Sequence, residues 1–380
     1  MILVRTITAE RSNKASIILL LFYILLFLKF KYAATTFGLV TSYISSSLAI
    51  GITFYFFFRI LRSYYKIQIF IFLMFIFGYS ASVFTKNYRL NDYLLNFQYF
   101  GIALIPLFYN LNYRLFKTAL FVLLLFFLMN IIQGTNPNDV FSVSRNSISV
   151  FLLIFYCNHV ISAFQNKKEI SLWMLVISFL ISIWAVGRGG IIAMGLLLLL
   201  MPYCKCGHLS LKLTFIYLLV LVIGSYIIIT LADSVLALAI SRFDSMGFDA
   251  NGRDEPNTEY LNRLFDSYFN FVYGVNLPGN GVFEALDLNP HNSLIRLHVY
   301  YGISGFIFVF GSLLRSCYVY MYNHNYVYLL LLFALFIRSL VDSTAFHGPF
   351  DGLIFYFLFY TFYHNIDLRK YKICLKTKFY

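Results

Sequence analysis

The chain has 380 residues, of which 60% are hydrophobic, 20% are aromatic and only 12% are charged. Repeated apolar runs of about 20 residues predict transmembrane helices and exclude a soluble globular protein. The formal net charge of +13 would favour nucleic-acid binding in a soluble protein. In a membrane protein it is explained by the Lys and Arg that cytoplasmic loops collect, so we expect no nucleic-acid partner.

Twelve apolar segments along the chain are predicted transmembrane spans. They cover approximately residues 16–30, 33–58, 67–85, 93–111, 118–133, 147–164, 170–187, 191–203, 213–232, 293–314, 325–341 and 350–364. The sequence therefore predicts an all-α polytopic membrane protein of about 12 transmembrane helices. Residues 1–380 form one integral membrane domain in this prediction.

The distribution of charge predicts the orientation of these spans. With both termini in the cytoplasm, the inner side collects most of the Lys and Arg. Of the 16 acidic residues, only Glu10, Glu169 and Asp367 fall on that side. This asymmetry is typical of bacterial and other membrane proteins. Residues 233–292 then form one long external loop, which is periplasmic in a bacterium.

Apolar residues recur at spacings of three and four within this loop, which predicts an amphipathic helix near residues 258–273. The apolar side consists of Leu261, Leu264, Phe265, Tyr268, Phe269 and Val272. Asp254 or Asn257 can cap the helix, Pro256 falls in its first turn, and Gly274 stops it. Such a helix would lie on the membrane surface over the helices below, either as a structural cover or as a substrate-gating lid.

Arg188 stands among glycines at the outer end of the seventh span. A guanidinium group is costly in a membrane. The neighbouring Gly187, Gly189 and Gly190 let a ligand approach the backbone where the next helix begins. An arginine beside a helix N-terminus is an arrangement that binds phosphate. The structural alternative is an Arg188 that snorkels beside a tight glycine turn.

His291 is the second candidate at the same outer face. Asn289 is predicted to cap the tenth span and Pro290 to occupy its first turn, so His291 would also lie in that turn. There the helix dipole disfavours the imidazolium form and leaves a neutral base. The alternative is an ordinary interfacial histidine. Because Arg296 falls one turn further on, near Arg188 and His291, the convergence favours a functional site.

Other charged residues have weaker or structural interpretations. Arg338 and Asp342 are one helical turn apart and are predicted to form a structural ion pair. Arg242 and Arg253 either pair with carboxylates of the loop or bind an anionic ligand. His347, like Asp351, is predicted to be interfacial rather than catalytic. No pattern predicts a metal site or a cofactor.

Five groups of short motifs occur in a fixed order along the chain. They are Gly187-Arg188-Gly189-Gly190, then Ser241-Arg242-Phe243 and Asn251-Gly252-Arg253, then Leu277-Pro278-Gly279-Asn280-Gly281-Val282-Phe283, then His291-Asn292-Ser293-Leu294, then Tyr301-Gly302-Ile303-Ser304-Gly305. This order resembles the bacterial O-antigen polymerase (Wzy) and O-antigen ligase superfamily. The resemblance covers about half of the chain, from the seventh span to the tenth.

The resemblance implies a GT-C-like, metal-independent glycosyltransferase at the periplasmic face of the bacterial inner membrane. Its donor would be an oligosaccharide on undecaprenyl pyrophosphate. Arg188, Arg253 and Arg242 would bind the pyrophosphate, with Arg296 beside them, and His291 would activate the acceptor hydroxyl. Partners in the same pathway would be a chain-length regulator and a flippase.

Three functions fit this pattern. A polymerase joins one lipid-linked repeat unit to the next, and the compact chain with its acidic loop favours this function. A ligase transfers the glycan to the lipid A core. A lipid-linked oligosaccharide flippase is also polytopic, but the chain lacks the inverted repeats and broken spans of secondary transporters.

Overall fold

The computed structural model describes residues 2–61, 90–206, 254–277, 281–284, 292–340 and 342–363. Within these ranges the chain forms fourteen helices and no strand, which confirms the all-helical class. In chain order they are α1 (Ile2–Lys31), α2 (Thr36–Leu61), α3 (Leu90–Phe108), α4 (Tyr113–Ile132), α5 (Pro137–Val140), α6 (Asn146–Gln165), α7 (Leu172–Trp184), α8 (Arg188–Cys206), α9 (Asp254–Leu264), α10 (Tyr268–Tyr273), α11 (Gly281–Glu284), α12 (Ser293–Tyr322), α13 (Tyr326–Leu340) and α14 (Asp351–Tyr363).

Among the described residues, five helices are long and apolar enough to cross a membrane, namely α1, α2, α4, α6 and α12. Five shorter apolar helices accompany them, namely α3, α7, α8, α13 and α14. Each of the ten coincides with a predicted span, and the predicted spans at 67–85 and 213–232 lie outside the described residues. The chain is therefore a multi-pass membrane protein. The side of the membrane that each end faces stays a prediction.

Helix α6 is the centre of the bundle. Almost every side chain from Ser147 to Ala163 is buried, on all faces of the helix. Because it is buried on every face, α6 lies inside the bundle and leaves no face in contact with solvent or lipid. Aromatic side chains pack around it. Phe151 stacks on Phe141 at 5.5 Å between ring centroids and meets Phe27 edge-on at 5.1 Å.

Helix α7 ends at Trp184, three residues before the predicted end of the span at Gly187. Val186 has a φ of 51°, and this left-handed conformation cannot continue a helix. Helix α8 then begins at Arg188. A Cβ on Gly190 would meet the Ser149 side chain at 2.3 Å, so glycine is what lets the first turn of α8 lie directly against α6.

Helix α12 begins at Ser293, as the predicted span does, but its N-cap differs from the predicted one. Asn292 is its N-cap, with a side-chain oxygen that accepts a hydrogen bond from the Leu294 N–H at 2.9 Å. The prediction that Asn289 is the cap, and that His291 lies in the first helical turn, is therefore wrong. Asn292 caps the helix because its side-chain oxygen accepts a hydrogen bond from a first-turn N–H group. His291 itself lies outside the described residues, and the argument from the helix dipole no longer applies to it.

The long loop forms two short helices where the sequence predicts one near 258–273. Ser267 separates α9 from α10 in an extended conformation, and its side chain caps α10 by accepting from the Asn270 N–H at 3.1 Å. The predicted stop at Gly274 is confirmed, because this residue has a φ of 85°. We call α9 and α10 together the loop hairpin.

Only part of the predicted apolar side of the loop hairpin packs against the protein: Leu264 does, but the aromatic residues do not. Phe265, Tyr268 and Phe269 are 74%, 80% and 57% exposed. The break at Ser267 resets the helical register, so the stripe that a continuous helix would bury is not formed. Tyr260 is buried instead. It forms a small core with Val275, Leu277, Phe283 and Val299, which fastens the hairpin to α12.

Candidate functional site

Four helices begin at the same end of the bundle, which we call the site end. They are α6, α8, α12 and α14, joined there by the loop 342–350 that leads from α13 to α14. The first turn of α8 lies against α6 at Gly190, and Ser293 Oγ donates to the Asp342 carbonyl oxygen at 2.7 Å. Each helix N-terminus carries partial positive charge. The site end is therefore biased toward negatively charged ligands before any side chain is counted.

The Arg338 cluster consists of Arg338, Asp342, Asn146 and Ser149. Arg338 is 2% exposed and donates from Nη2 to Asp342 Oδ2 at 3.1 Å, which is the predicted ion pair. Its Nε also donates to Ser149 Oγ at 3.4 Å, and Asn146 Nδ2 donates to Asp342 Oδ2 at 3.4 Å. A buried cation needs such partners, because desolvation is otherwise too costly. The cluster joins the ends of α6 and α13.

The Arg296 cluster consists of Arg296, Tyr300 and His347. Arg296 lies in the first turn of α12, where Nη1 donates to the Ser343 carbonyl oxygen at 2.8 Å. Its guanidinium carbon is 5.7 Å from the centroid of the Tyr300 ring, which is in turn 5.1 Å from the His347 ring. Within the described part of the chain, no carboxylate lies at ion-pair distance from Arg296. The guanidinium is held in place by a carbonyl and an aromatic face, and the buried Asp351 carboxyl lies near enough to interact with its charge without forming an ion pair.

The loop 342–350 is held in a strained conformation by Asp351. The backbone N–H groups of Phe346, His347 and Gly348 donate to its carboxylate at 2.6, 2.7 and 3.0 Å. Phe346 and His347 have φ values of 54° and 82°, a region that residues with a side chain rarely adopt. Strain of this kind persists where the surrounding structure enforces it, and it concentrates at functional sites. Val186, beside Arg188, shares the same property.

His347 is a partly exposed side chain with a buried Nδ1 that has no hydrogen-bond partner among the described residues. Burial lowers the pKa of His347 to about 3, and the nearby positive charges of Arg296 and Lys29 lower it further. The imidazole is therefore neutral at any physiological pH. A neutral ring nitrogen without a partner can accept a hydrogen bond from a hydroxyl group, but with this pKa it is too weak a base to take the proton.

The structure brings together some of the sequence-predicted residues and not others. Arg188 is the first residue of α8 and is partly exposed. It lies between Gly190, which contacts Ser149, and Gly187, where an added Cβ would lie 3.0 Å from Asn146 Oδ1. The backbone of Arg188 is thus adjacent to the Arg338 cluster. Arg242 and Arg253, like His291, lie outside the described residues.

Sequence reasoning missed two features of this site. Asn146, which links α6 to Asp342, was not a candidate, and His347 was predicted to be only interfacial. The available signal was the His347-Gly348-Pro349 turn shortly after a span that carries Arg338 near its end. Within the ranges that the structure describes, no three His, Cys, Asp or Glu residues gather closely enough to hold a metal ion.

No family model matches the chain, and it matches no curated protein and no solved structure. The class that the fold and the site define is a multi-pass helical membrane protein with Arg188 and Arg296 at helix N-termini at one end of its bundle.

Proposed function

We propose that the chain is a polysaccharide polymerase that joins undecaprenyl-pyrophosphate-linked oligosaccharide repeat units at the periplasmic face of a bacterial inner membrane. The observation that carries the proposal is the convergence of four helix N-termini with Arg188 and Arg296 at the site end. Pyrophosphate is the leaving group in such a transfer, and its charge is stabilised by guanidinium groups and free helix N–H groups.

The reaction is a displacement at the anomeric carbon of the donor glycan. An acceptor hydroxyl oxygen forms a bond to this carbon, the bond from the carbon to the pyrophosphate oxygen breaks, and the hydroxyl proton passes to a base. Negative charge develops on the leaving pyrophosphate, so cations fixed in advance lower the barrier. The base contributes because the attacking hydroxyl must lose its proton. The configuration at the anomeric carbon inverts.

Arg188 and Arg296 are assigned to the pyrophosphate, and the resemblance adds Arg253 and Arg242. Arginine suits this task because its planar fork of donors matches two phosphate oxygens at once. The resemblance assigns His291 as the group that activates the acceptor. The Arg338–Asp342 pair is not assigned to substrate, because its charges already neutralise each other.

The membrane-spanning helices support a lipid-linked substrate rather than a soluble sugar nucleotide. A polyprenyl chain stays in the bilayer, and its pyrophosphate then lies at the level of the helix ends, where Arg188 and Arg296 are located. A flippase would instead need a polar path across the whole membrane.

Deletion of the protein, followed by a gel of the surface polysaccharide, tests the proposal against its alternatives. Loss of polymerase leaves lipid A core that carries a single repeat unit. Loss of ligase leaves free core and an accumulation of lipid-linked polymer. Loss of a flippase removes both products and leaves unflipped precursor. Only the first pattern agrees with the proposed function, and re-expression of the intact chain should restore long-chain polysaccharide.

A further inference from the structure

The loop hairpin exposes a contiguous group of large apolar side chains. Phe265 and Tyr268 are 74% and 80% exposed, and Leu261, Phe269 and Phe271 are 54%, 57% and 40% exposed. Three of these five are phenylalanines, which carry no polar atom. Isolated exposed apolar residues are common, but such a group concentrated on two short helices marks a surface that something covers.

The hairpin is held firmly against α12. His298 bridges its two helices, with Nδ1 2.6 Å from the Tyr260 hydroxyl and Nε2 2.8 Å from the Phe271 carbonyl oxygen. Because a carbonyl only accepts, Nε2 donates to Phe271 and Nδ1 accepts from the Tyr260 O–H. Gly302 has a φ of 61°, and a Cβ there would lie 2.4 Å from the Val272 carbonyl oxygen. The hairpin backbone therefore packs directly on the kink of α12.

Gly302 interrupts the helical backbone of α12, and its position indicates how deep in the bilayer the hairpin lies. Near the other end of α12, Tyr318 and Tyr322 are 65% and 66% exposed, as tyrosines are where a helix leaves the bilayer. A hydrocarbon core of about 30 Å takes about 20 helical residues. Counted back from Tyr322, this length reaches Gly302, the residue on which α10 packs. The hairpin thus lies at the level where α12 enters the opposite interface.

After Gly302, the exposed surface of α12 is typical of a helix that faces lipid. Ile307 and Leu314 are 65% and 70% exposed and lie seven residues apart, on one face of the helix. The exposed rings belong to the hairpin that packs on Gly302, at the interfacial end of this helix. Aromatic residues are enriched at that depth, and amphipathic helices lie in that plane.

The geometry points to the loop hairpin as an interfacial anchor, in which Phe265, Tyr268 and Phe269 insert into the head-group and upper acyl region of the phospholipid bilayer at the site end. The ion pair between Glu259 and Arg263, at 2.5 Å, gives α9 a polar side suited to water. The anchor holds the start of α12, and with it Arg296, at a fixed height above the hydrocarbon core. This inference does not depend on the proposed function.

Two other occupants could cover the same rings. A glycan can stack on aromatic faces, and a second copy of the chain can bury them. The bilayer is favoured because phenylalanine predominates over residues with hydrogen-bonding groups, and because the hairpin lies at the depth of the interface.

The test replaces Phe269 with p-benzoylphenylalanine in the full chain, reconstituted in phospholipid vesicles with a soluble oligosaccharide present. Irradiation links the probe to whatever lies against it, and mass spectrometry identifies the adduct. The control places the same probe at Asn262, which is exposed on α9. We expect roughly tenfold more phospholipid adduct at Phe269, since only that position reaches the acyl chains.

Equal phospholipid adducts at the two positions would overturn the inference. A link to a second copy of the chain, or to the oligosaccharide, as the main product at Phe269 would overturn it as well. A second variant combines Phe265→Ser and Tyr268→Ser with the probe at Phe269. Both residues are exposed, so the fold is unaffected, and the loss of their insertion should make the hairpin shallower and lower the phospholipid adduct severalfold. An unchanged yield would contradict insertion.

Discussion

The two described clusters at the site end use the same residue type for opposite purposes. Arg338 is buried, paired with Asp342 and bonded to Ser149, so its charge is satisfied within the protein. Arg296 is partly exposed and is held by the Ser343 carbonyl and the Tyr300 ring. The loop 342–350 lies between them and contacts both. Arg338 fixes the loop through its ion pair with Asp342, and Arg296 places a positive charge beside the loop.

An arginine that supports the fold of a membrane protein can be distinguished from one that acts on a substrate. A cation in a membrane is costly whatever its role, so its presence alone does not indicate function. What distinguishes the two arginines is that Arg338 forms an ion pair with Asp342, whereas Arg296 forms none with a carboxylate of the described residues. Replacing the ion-paired arginine should affect folding, whereas replacing the other should affect activity with little effect on folding.

The largest effect is expected for Asp342→Ala. It removes the carboxylate with which the buried Arg338 forms its ion pair, and removal of one partner of a buried pair costs about 3–5 kcal/mol. We expect a large fall in the thermal unfolding temperature of the purified protein in detergent. The matched control is Glu259→Gln, which breaks an Arg–carboxylate pair of the same spacing at side chains 38% and 29% exposed. This exposed pair should contribute no more than about 1 kcal/mol. Equal effects of the two variants would mean that Arg338 is not compensated by Asp342.

The next effect is expected for Arg296→Gln. Loss of one preorganised donor to a developing charge lowers the rate by about 100-fold or more. Polymerisation of lipid-linked repeat units should fall accordingly, while the unfolding temperature changes little. Arg315→Gln is the control on the same helix, because Arg315 lies near the opposite end of α12, over the Phe362 ring. Wild-type polymer from Arg296→Gln at matched expression would remove Arg296 from the site.

Arg188→Lys tests the geometry of binding rather than the charge. Lysine keeps the positive charge but lacks the planar fork that contacts two phosphate oxygens. We expect heavily reduced polymerisation with normal membrane insertion, measured as chain length on a gel beside the amount of protein in the membrane. If Arg188 merely snorkels beside a glycine turn, lysine should replace it without loss.

The smallest effect is expected for His347 and appears only in acid. The pKa of His347 is about 3 in the folded protein, against an ordinary value of 6.5. Between these values the unfolded chain binds more protons, so stability falls as the pH drops from about 6.5 toward 3 and is unaffected above 6.5. His347→Asn should flatten the dependence of unfolding temperature on pH between 7 and 5. Asparagine tolerates the left-handed backbone, which makes it the suitable replacement. An unchanged slope would show that His347 is not buried as a neutral group.

The sequence predicted the helical class, and nearly every described span, because a bilayer permits few alternatives to apolar helices of a set length. It also predicted the Arg338–Asp342 pair, because the two residues are one helical turn apart. Arg338 lies in the last turn of α13 and Asp342 follows just beyond its end. Local chemistry of this kind is readable from spacing alone. The sequence placed Arg188 at the outer end of the seventh span and began the next span at Ile191, whereas helix α8 already begins at Arg188.

The helix cap of α12, the break in the loop hairpin and the position of His347 depend on backbone geometry. The spacing of residues in the sequence does not encode that geometry. Asn289 and Asn292 are equally good caps in the sequence, and only the fold selects Asn292. The extended Ser267 divides a helix whose apolar period is continuous. The position of His347 follows from a left-handed turn held by Asp351, a residue with no distinctive motif. Each error arose where tertiary contacts override a local pattern.

The most direct test of the central claim is a reconstituted reaction. The purified chain in vesicles receives undecaprenyl-pyrophosphate-linked repeat units in excess chelator, beside native membranes that make polymer from the same substrate. The account predicts longer lipid-linked glycan and one released undecaprenyl pyrophosphate for each bond formed, because arginines supply the positive charge. No elongation by the purified chain while the native membranes remain active would contradict the account, as would elongation that returns only with added magnesium or manganese.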